Sequence, residues 1–184
     1  MSRRDCNTEI SEISSYEPAR DAIESGRRWI EKANENTSDE LNSQIDKFFS
    51  LYVSYNIIYS LISHEDNWDR CSAVSVISSY MRNKGIQTFT QNRTNISNMI
   101  EPIREHNIFH IYNEDRDFRL IANIDNRNNL EESVLDILYG IRCNMFHGAK
   151  KLITEQSLLL VPANLILEAL VNDLITSITC NWQE

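Results

Sequence analysis

Apolar residues recur along this chain at three- and four-residue spacing, the period of amphipathic helices rather than strands. A first helix is predicted from Pro18, a residue favoured at an early helical position, through Trp29 to Asn34. Asn36-Thr37-Ser38-Asp39 then reads as a turn, with Ser38 or Asp39 capping the second helix. That second segment, to about Ser63, is the longest helical pattern. Its centre, Phe48 to Tyr59, is apolar on most sides, as a buried central helix is. That aromatic density reads as core, not as a platform for stacking bases.

A further helix begins at Asn67, carries Val74, Val76, Ile77 and Met81, and stops near Lys84-Gly85, where glycine ends it. A weaker amphipathic segment covers Asn92 to Arg104. Over 106–129 the character changes. Ile108 to Tyr112 and Phe118 to Ile121 flank a polar stretch, as in a small hairpin or a packed loop. Asn129 followed by Glu132 has capping-box spacing and predicts a helix from Leu130 to His147, with Gly148 past its end. The last helix runs from about Thr154 to Cys180, and Pro162 either kinks it or marks its start. The sum is an all-α bundle: a flexible polar N-terminus over residues 1–16, then a single domain over 17–184.

Composition supports this without adding a function. The chain has 184 residues with only 4 Gly and 3 Pro, long enough for a core without metal or disulfide. Cys6, Cys71, Cys143 and Cys180 match no zinc or redox spacing and read as reduced thiols, which with the absence of a signal-like start points to the cytoplasm. The apolar run Leu158 to Val171 is broken by Pro162, Asn164 and Glu168, so no membrane span is expected. A net charge of −9 disfavours non-specific attraction to nucleic acid. Any action on RNA then needs a local basic site, or a partner that supplies one.

Candidate chemistry lies in Ile141-Arg142-Cys143-Asn144-Met145-Phe146-His147-Gly148. Arg142 is a permanent cation whose planar fork suits phosphate, and His147 titrates near neutrality. An Arg and a His near a helix end also suit the negative end of the helix dipole, without any function. Arg142-x4-His147 followed by Gly148, with the apolar lead-in Leu138-Tyr139-Gly140-Ile141, resembles the signature of the HEPN superfamily. These are helical-bundle domains, many of them metal-independent ribonucleases of defence and toxin–antitoxin systems. Within the superfamily the chain is most similar to the bacterial branch with Apea-type domains.

The resemblance implies an endoribonuclease that needs no metal or other cofactor. Arg142 and His147 would be catalytic, and attack by the ribose 2′-OH would leave a 2′,3′-cyclic phosphate. Asn144, Lys150 and Lys151 are candidates for holding RNA. The family's ribonucleases usually carry Asn, Asp or His directly after the Arg, where this chain has Cys143. A catalytically silent module binding RNA, nucleotide or a protein partner is the alternative, and a purely structural dimer the third reading.

On a straight helix His147 lies about 140° around from Arg142 and about 7.5 Å along it. One copy of the helix therefore does not aim both groups at one point. The flank of Leu135, Tyr139 and Phe146 offers apolar surface for a second copy, and Gly140 suits close backbone approach. HEPN proteins commonly dimerise with these motifs converging, so the resemblance implies a homodimer across the Arg142–His147 helix. An antitoxin or other regulatory protein is a further partner it implies.

Overall fold

The computed structural model describes residues 16–63, 67–106, 111–146 and 156–180; among these the fold is all-helical, with no strand. The polar N-terminal stretch up to residue 15 lies outside them, as do His147, Gly148, Lys150 and Lys151. In chain order, α1 spans Tyr16–Asn34 and α2 Leu41–Ile62. A π-helical stretch, Cys71–Val76, runs into α3 at Ile77–Lys84. The remaining helices are α4 (Thr88–Gln91), α5 (Arg93–His106), α6 (Glu114–Asp125), α7 (Leu130–Phe146) and α8 (Ser157–Cys180).

The core is built around α2 and α8. α1 packs on α2, α2 on α8, and α5 on α8, while α7 lies against the π-helical stretch, α3 and α6. Phe48, Leu51, Tyr55 and Ile58 of α2, and Ile166, Leu167, Leu170 and Leu174 of α8, are essentially inaccessible. Each such side chain contributes about 1.5–3 kcal/mol of burial free energy. The aromatic run is core, as expected: Tyr52, Tyr55 and Tyr59 are buried and meet edge to face, with centroids 5.6 and 5.1 Å apart. With 24 residues, α8 exceeds α2 at 22, although the α2 pattern reads as the longer.

By length and composition α8 is long and apolar enough to cross a membrane. Here most of it is buried in the bundle, and it carries polar contacts on both sides. Toward α2, the Asn164 amide donates to the Gln44 carbonyl (3.0 Å) and side chain (2.8 Å), and Glu168 pairs with Lys47 at 3.1 Å. Toward α4 and α3, Asp173 accepts from Thr88, and Ser177 lies 3.2 Å from the Tyr80 hydroxyl. Pro162 sits inside α8 without ending it. Leu158, whose carbonyl a residue-162 N–H would have reached, is exposed.

Four expectations need correction. Of the hairpin or loop expected over 106–129, residues 107–110 lie outside the described residues, and the second arm, Phe118 to Ile121, is instead part of α6. Asp117, Leu120, Ile121 and Ile124 fall at helical spacing and are buried, and the Asn113 side chain accepts the Arg116 N–H at 3.0 Å, an N-cap. The capping box at the start of α7 does not hold, because Asn129 is left-handed at φ 49 rather than extended. Ahead of α2 the N-cap is Glu40, without a side-chain cap bond; Ser38 Oγ accepts the Glu40 N–H at 3.1 Å. The stop at Gly85 is as expected, at φ 66. Cys71, read as a reduced thiol, is disulfide-bonded, whereas Cys143 and Cys180 are free.

Candidate functional site

One face of α7 enters the core as its spacing predicts. Val134, Leu138 and Ile141 are at most 2% exposed, and Met145 packs against the same core. Of the neighbouring flank, the Phe146 side chain lies outside the described residues, and the other two members make contacts within the chain. Leu135 is buried by its own chain, and Tyr139 turns its hydroxyl to Asp69 at 3.1 Å. Gly140 does serve a close approach, but of the same chain: a Cβ there would overlap Ile111 and stand 2.8 Å from Tyr112 Cζ.

That approach brings the segment before α6 onto α7 and builds a polar centre about Asp136. This carboxylate is buried, at 3% exposure, in the middle of an apolar helix. An isolated buried charge is costly, so it needs partners. Arg70 grips it with a two-pronged fork, Nε to Oδ1 at 2.9 Å and Nη2 to Oδ2 at 2.9 Å. Arg116 reaches it from α6, with Nη2 3.0 Å from Oδ1 and 2.7 Å from Oδ2. The Tyr112 hydroxyl shares its proton between the Asp136 carbonyl (2.8 Å) and Oδ1 (2.9 Å). The Arg116 guanidinium stacks on the Tyr112 ring, 3.4 Å from its centroid.

Burial works to raise the Asp136 carboxyl, but the hydrogen bonds and charges of Arg70 and Arg116 outweigh it and hold the group below the usual carboxylate range. Burial, followed by the Asp136 charge, pushes the Tyr112 phenol up. The segment is also held through its backbone. Asp117 accepts the Ile111 and Tyr112 N–H groups at 2.8 and 3.1 Å, and the Asn144 amide donates to the Ile111 carbonyl at 2.8 Å. Asn144, a candidate RNA contact, thus directs its amide to its own chain.

Arg142 lies beside this centre, its side chain 23% exposed. Its Nη1 stands 3.7 Å from Asp69 Oδ2 and 3.9 Å from the Cys143 sulfur. Its guanidinium carbon is 5.8 Å from the Tyr52 centroid and 5.9 Å from that of Tyr139. Asp69 in turn accepts from Tyr59 and Tyr139, one on each oxygen. Burial, then the bond to Asp69, raises the Tyr59 phenol, so it stays protonated as a donor. Burial tends to lower Arg142, but Cys143 and Asp69 outweigh it and raise it, so the cation is fixed.

Among the candidates, only Arg142 and Asn144 can be placed. They lie two residues apart on α7, one toward Asp69 and the other toward Ile111. His147, Lys150 and Lys151 lie outside the described residues. Arg70, Arg116, Asp69 and Trp68 were not singled out by their spacing, because chain distance separates them from α7. Asp136 did carry a signal: a lone carboxylate between Leu135 and Ile137 must find cations in a folded chain. Among the described residues no three His, Cys, Asp or Glu side chains converge as a metal site would require. Comparison with family models, curated proteins and solved structures finds no match, so residue geometry carries the functional argument.

Proposed function

We propose that this face of α7 binds RNA and that the chain is a metal-independent endoribonuclease of the HEPN type. The observation that carries the reading is the state of Arg142. It is fixed in charge, accessible at the end of α7, and bridged by Asp69 at 3.7 Å, outside hydrogen-bond range. A phosphate oxygen reaching the exposed part of the Arg142 guanidinium would compete with Asp69 for it and form charge-assisted hydrogen bonds. Arg142 then stabilises charge developing on the phosphorane. His147, just past α7, serves as base toward the ribose 2′-OH or acid toward the leaving 5′-oxygen. A positioned proton-transfer group is worth about 10²–10⁴ in rate.

A homodimer across the Arg142–His147 helix supplies one histidine for each role and remains part of this proposal. It rests on what the resemblance implies, since Leu135 and Gly140 are engaged within the chain and the Phe146 side chain and His147 lie outside the described residues. A setting in bacterial defence or a toxin–antitoxin pair, with an antitoxin or regulatory partner, belongs to the same proposal; a cytoplasmic location goes with it, although the disulfide at Cys71 removes the reduced-thiol argument there.

A second reading is favoured by Cys143. The position after Arg142 carries a thiol 3.9 Å from Nη1, not the amide, carboxylate or imidazole of the family's ribonucleases. That favours a silent module that holds RNA, nucleotide or a protein partner without cutting. The deciding experiment is RNA cleavage by purified protein in EDTA, beside His147→Ala. Cleavage that leaves cyclic-phosphate ends and is lost in the variant supports the nuclease. Intact RNA with a folded, RNA-binding protein supports the silent module.

A further inference from the structure

The residues that extend the Arg142 face come from just before the π-helical stretch and from α6. Trp68 is 41% exposed, yet its backbone is fixed, its carbonyl accepting the Cys71 and Ser72 N–H groups at 2.8 and 3.2 Å. A lone exposed indole carries no argument. Its neighbours supply one. The Arg70 guanidinium lies 5.9 Å from the indole centroid, and Arg70 and Arg116 converge on the same Asp136 carboxylate. Asp69, next to Arg70 in the chain, is the residue that holds Arg142. Three guanidinia thus share the Asp136 and Asp69 carboxylates, while the Asp117 carboxylate beside Arg116 is turned to the Ile111 and Tyr112 N–H groups.

Those guanidinia are partly open: the side chains of Arg70, Arg116 and Arg142 are 29, 31 and 23% exposed. Both Arg116 bonds to Asp136 come from Nη2, leaving its Nη1 and Nε hydrogens for an incoming anion. Asp136 is nearly closed to solvent, so a ligand does not touch it, while it keeps two cations oriented without using all their donors. The stack of Arg116 on Tyr112 fixes its plane.

The geometry points to a binding track for single-stranded RNA: Trp68 stacks an unpaired base, Arg70 and Arg116 hold the neighbouring backbone phosphate, and Arg142 receives the next. An indole face beside guanidinia suits an unpaired base, because every base offers a π-face only when it is out of a duplex. The track rests on the RNA reading above and names the form of RNA that it selects. It separates holding residues (Trp68, Arg70, Arg116) from the group placed at the reacting phosphate (Arg142).

The test is fluorescence anisotropy of a labelled ten-nucleotide oligouridylate titrated with the full His147→Ala chain, alone and with Trp68→Ala or Trp68→Phe added. Circular dichroism checks that each variant is folded. Loss of one base stack lowers affinity about tenfold. The track therefore requires that drop in Trp68→Ala, near-parental binding in Trp68→Phe, and weaker binding of the same strand annealed to oligoadenylate. Undiminished binding by folded Trp68→Ala overturns it. So does equal, Trp68-dependent binding of phosphatidylserine vesicles, which would make the surface a general anion site. Cleavage by the wild-type chain in EDTA with no Trp68 effect sinks the track and leaves the nuclease. Trp68-dependent binding without cleavage keeps the track and removes the nuclease.

Discussion

Arg142 Nη1 and Asp69 Oδ2 stand 3.7 Å apart, close enough to attract and too far to share a hydrogen bond. Asp69 is itself fixed by Tyr59 and Tyr139, so the pair joins α7 to the turn before the π-helical stretch through a carboxylate that cannot swing freely. An anion that engages Arg142 competes with Asp69. The Asp69→Asn variant should bind oligouridylate severalfold tighter at low salt, with the gain shrinking as salt rises. Its stability should fall by about 1–2 kcal/mol: the partly exposed pair contributes little, but an amide accepts from only one of Tyr59 and Tyr139. Titrations at two ionic strengths and a urea melt measure both.

Asp136 predicts a much larger cost. Replacing it with Asn leaves Arg70 and Arg116 without the carboxylate that orients them. Removing one partner of a buried pair costs about 3–5 kcal/mol, and the partial exposure of both arginines places this case nearer about 2–4. A fall in the urea midpoint of matching size is expected. A loss below about 0.5 kcal/mol would show that the centre does not hold α6 to α7.

The same carboxylate sets a pH dependence. Its folded pKa is held below the ordinary 3.8, so the unfolded chain binds more protons as pH falls. The contribution of Asp136 is therefore complete above the unfolded value and lost as pH drops below it through the folded value. Thermal melts should show a steeper decline below about pH 4 in wild type than in Asp136→Asn.

Gly140→Ala separates two explanations of one residue. In an open helix alanine would gain about 1 kcal/mol over glycine. Here the added Cβ meets Ile111 and Tyr112, which are tied down by Asp117 and Asn144, so they cannot yield cheaply. A net loss of about 1–3 kcal/mol is expected. A stability gain accompanied by loss of a dimer, seen by light scattering, would instead return Gly140 to an intermolecular role.

The central helices were legible because burial on several sides leaves a dense apolar record, as in Phe48 to Tyr59. The turn at Gly85 was legible because left-handed backbone favours glycine. The stretch 106–129 misleads for a physical reason. Ile108 to Tyr112 and Phe118 to Ile121 each look like strand, while the helical spacing of Leu120, Ile121 and Ile124 is short and preceded by charge. Arg142 was visible through its motif. Its surroundings were not: Arg70 and Asp136 are 66 residues apart, and nothing local in either marks the other. Only the oddity of a carboxylate inside an apolar helix pointed there. Gly140 signals a contact point but not its partner, because a missing side chain marks closeness and not who is close.

The polar contacts along α8 work as an address system. A helix offering mostly interchangeable aliphatic side chains can slide a turn against its neighbours at small cost, since leucine replaces leucine. Asn164 and Glu168 are read by Gln44 and Lys47 on one side, Asp173 and Ser177 by Thr88 and Tyr80 on the other. A slip of one turn, about 5.4 Å, would misdeliver all four at once. With α8 held in one axial position, its neighbours α2, α4 and α5 keep theirs. The distance between Arg142 and Asp69, which Tyr59 of α2 helps to hold, is then inherited from a register set between α2 and α8.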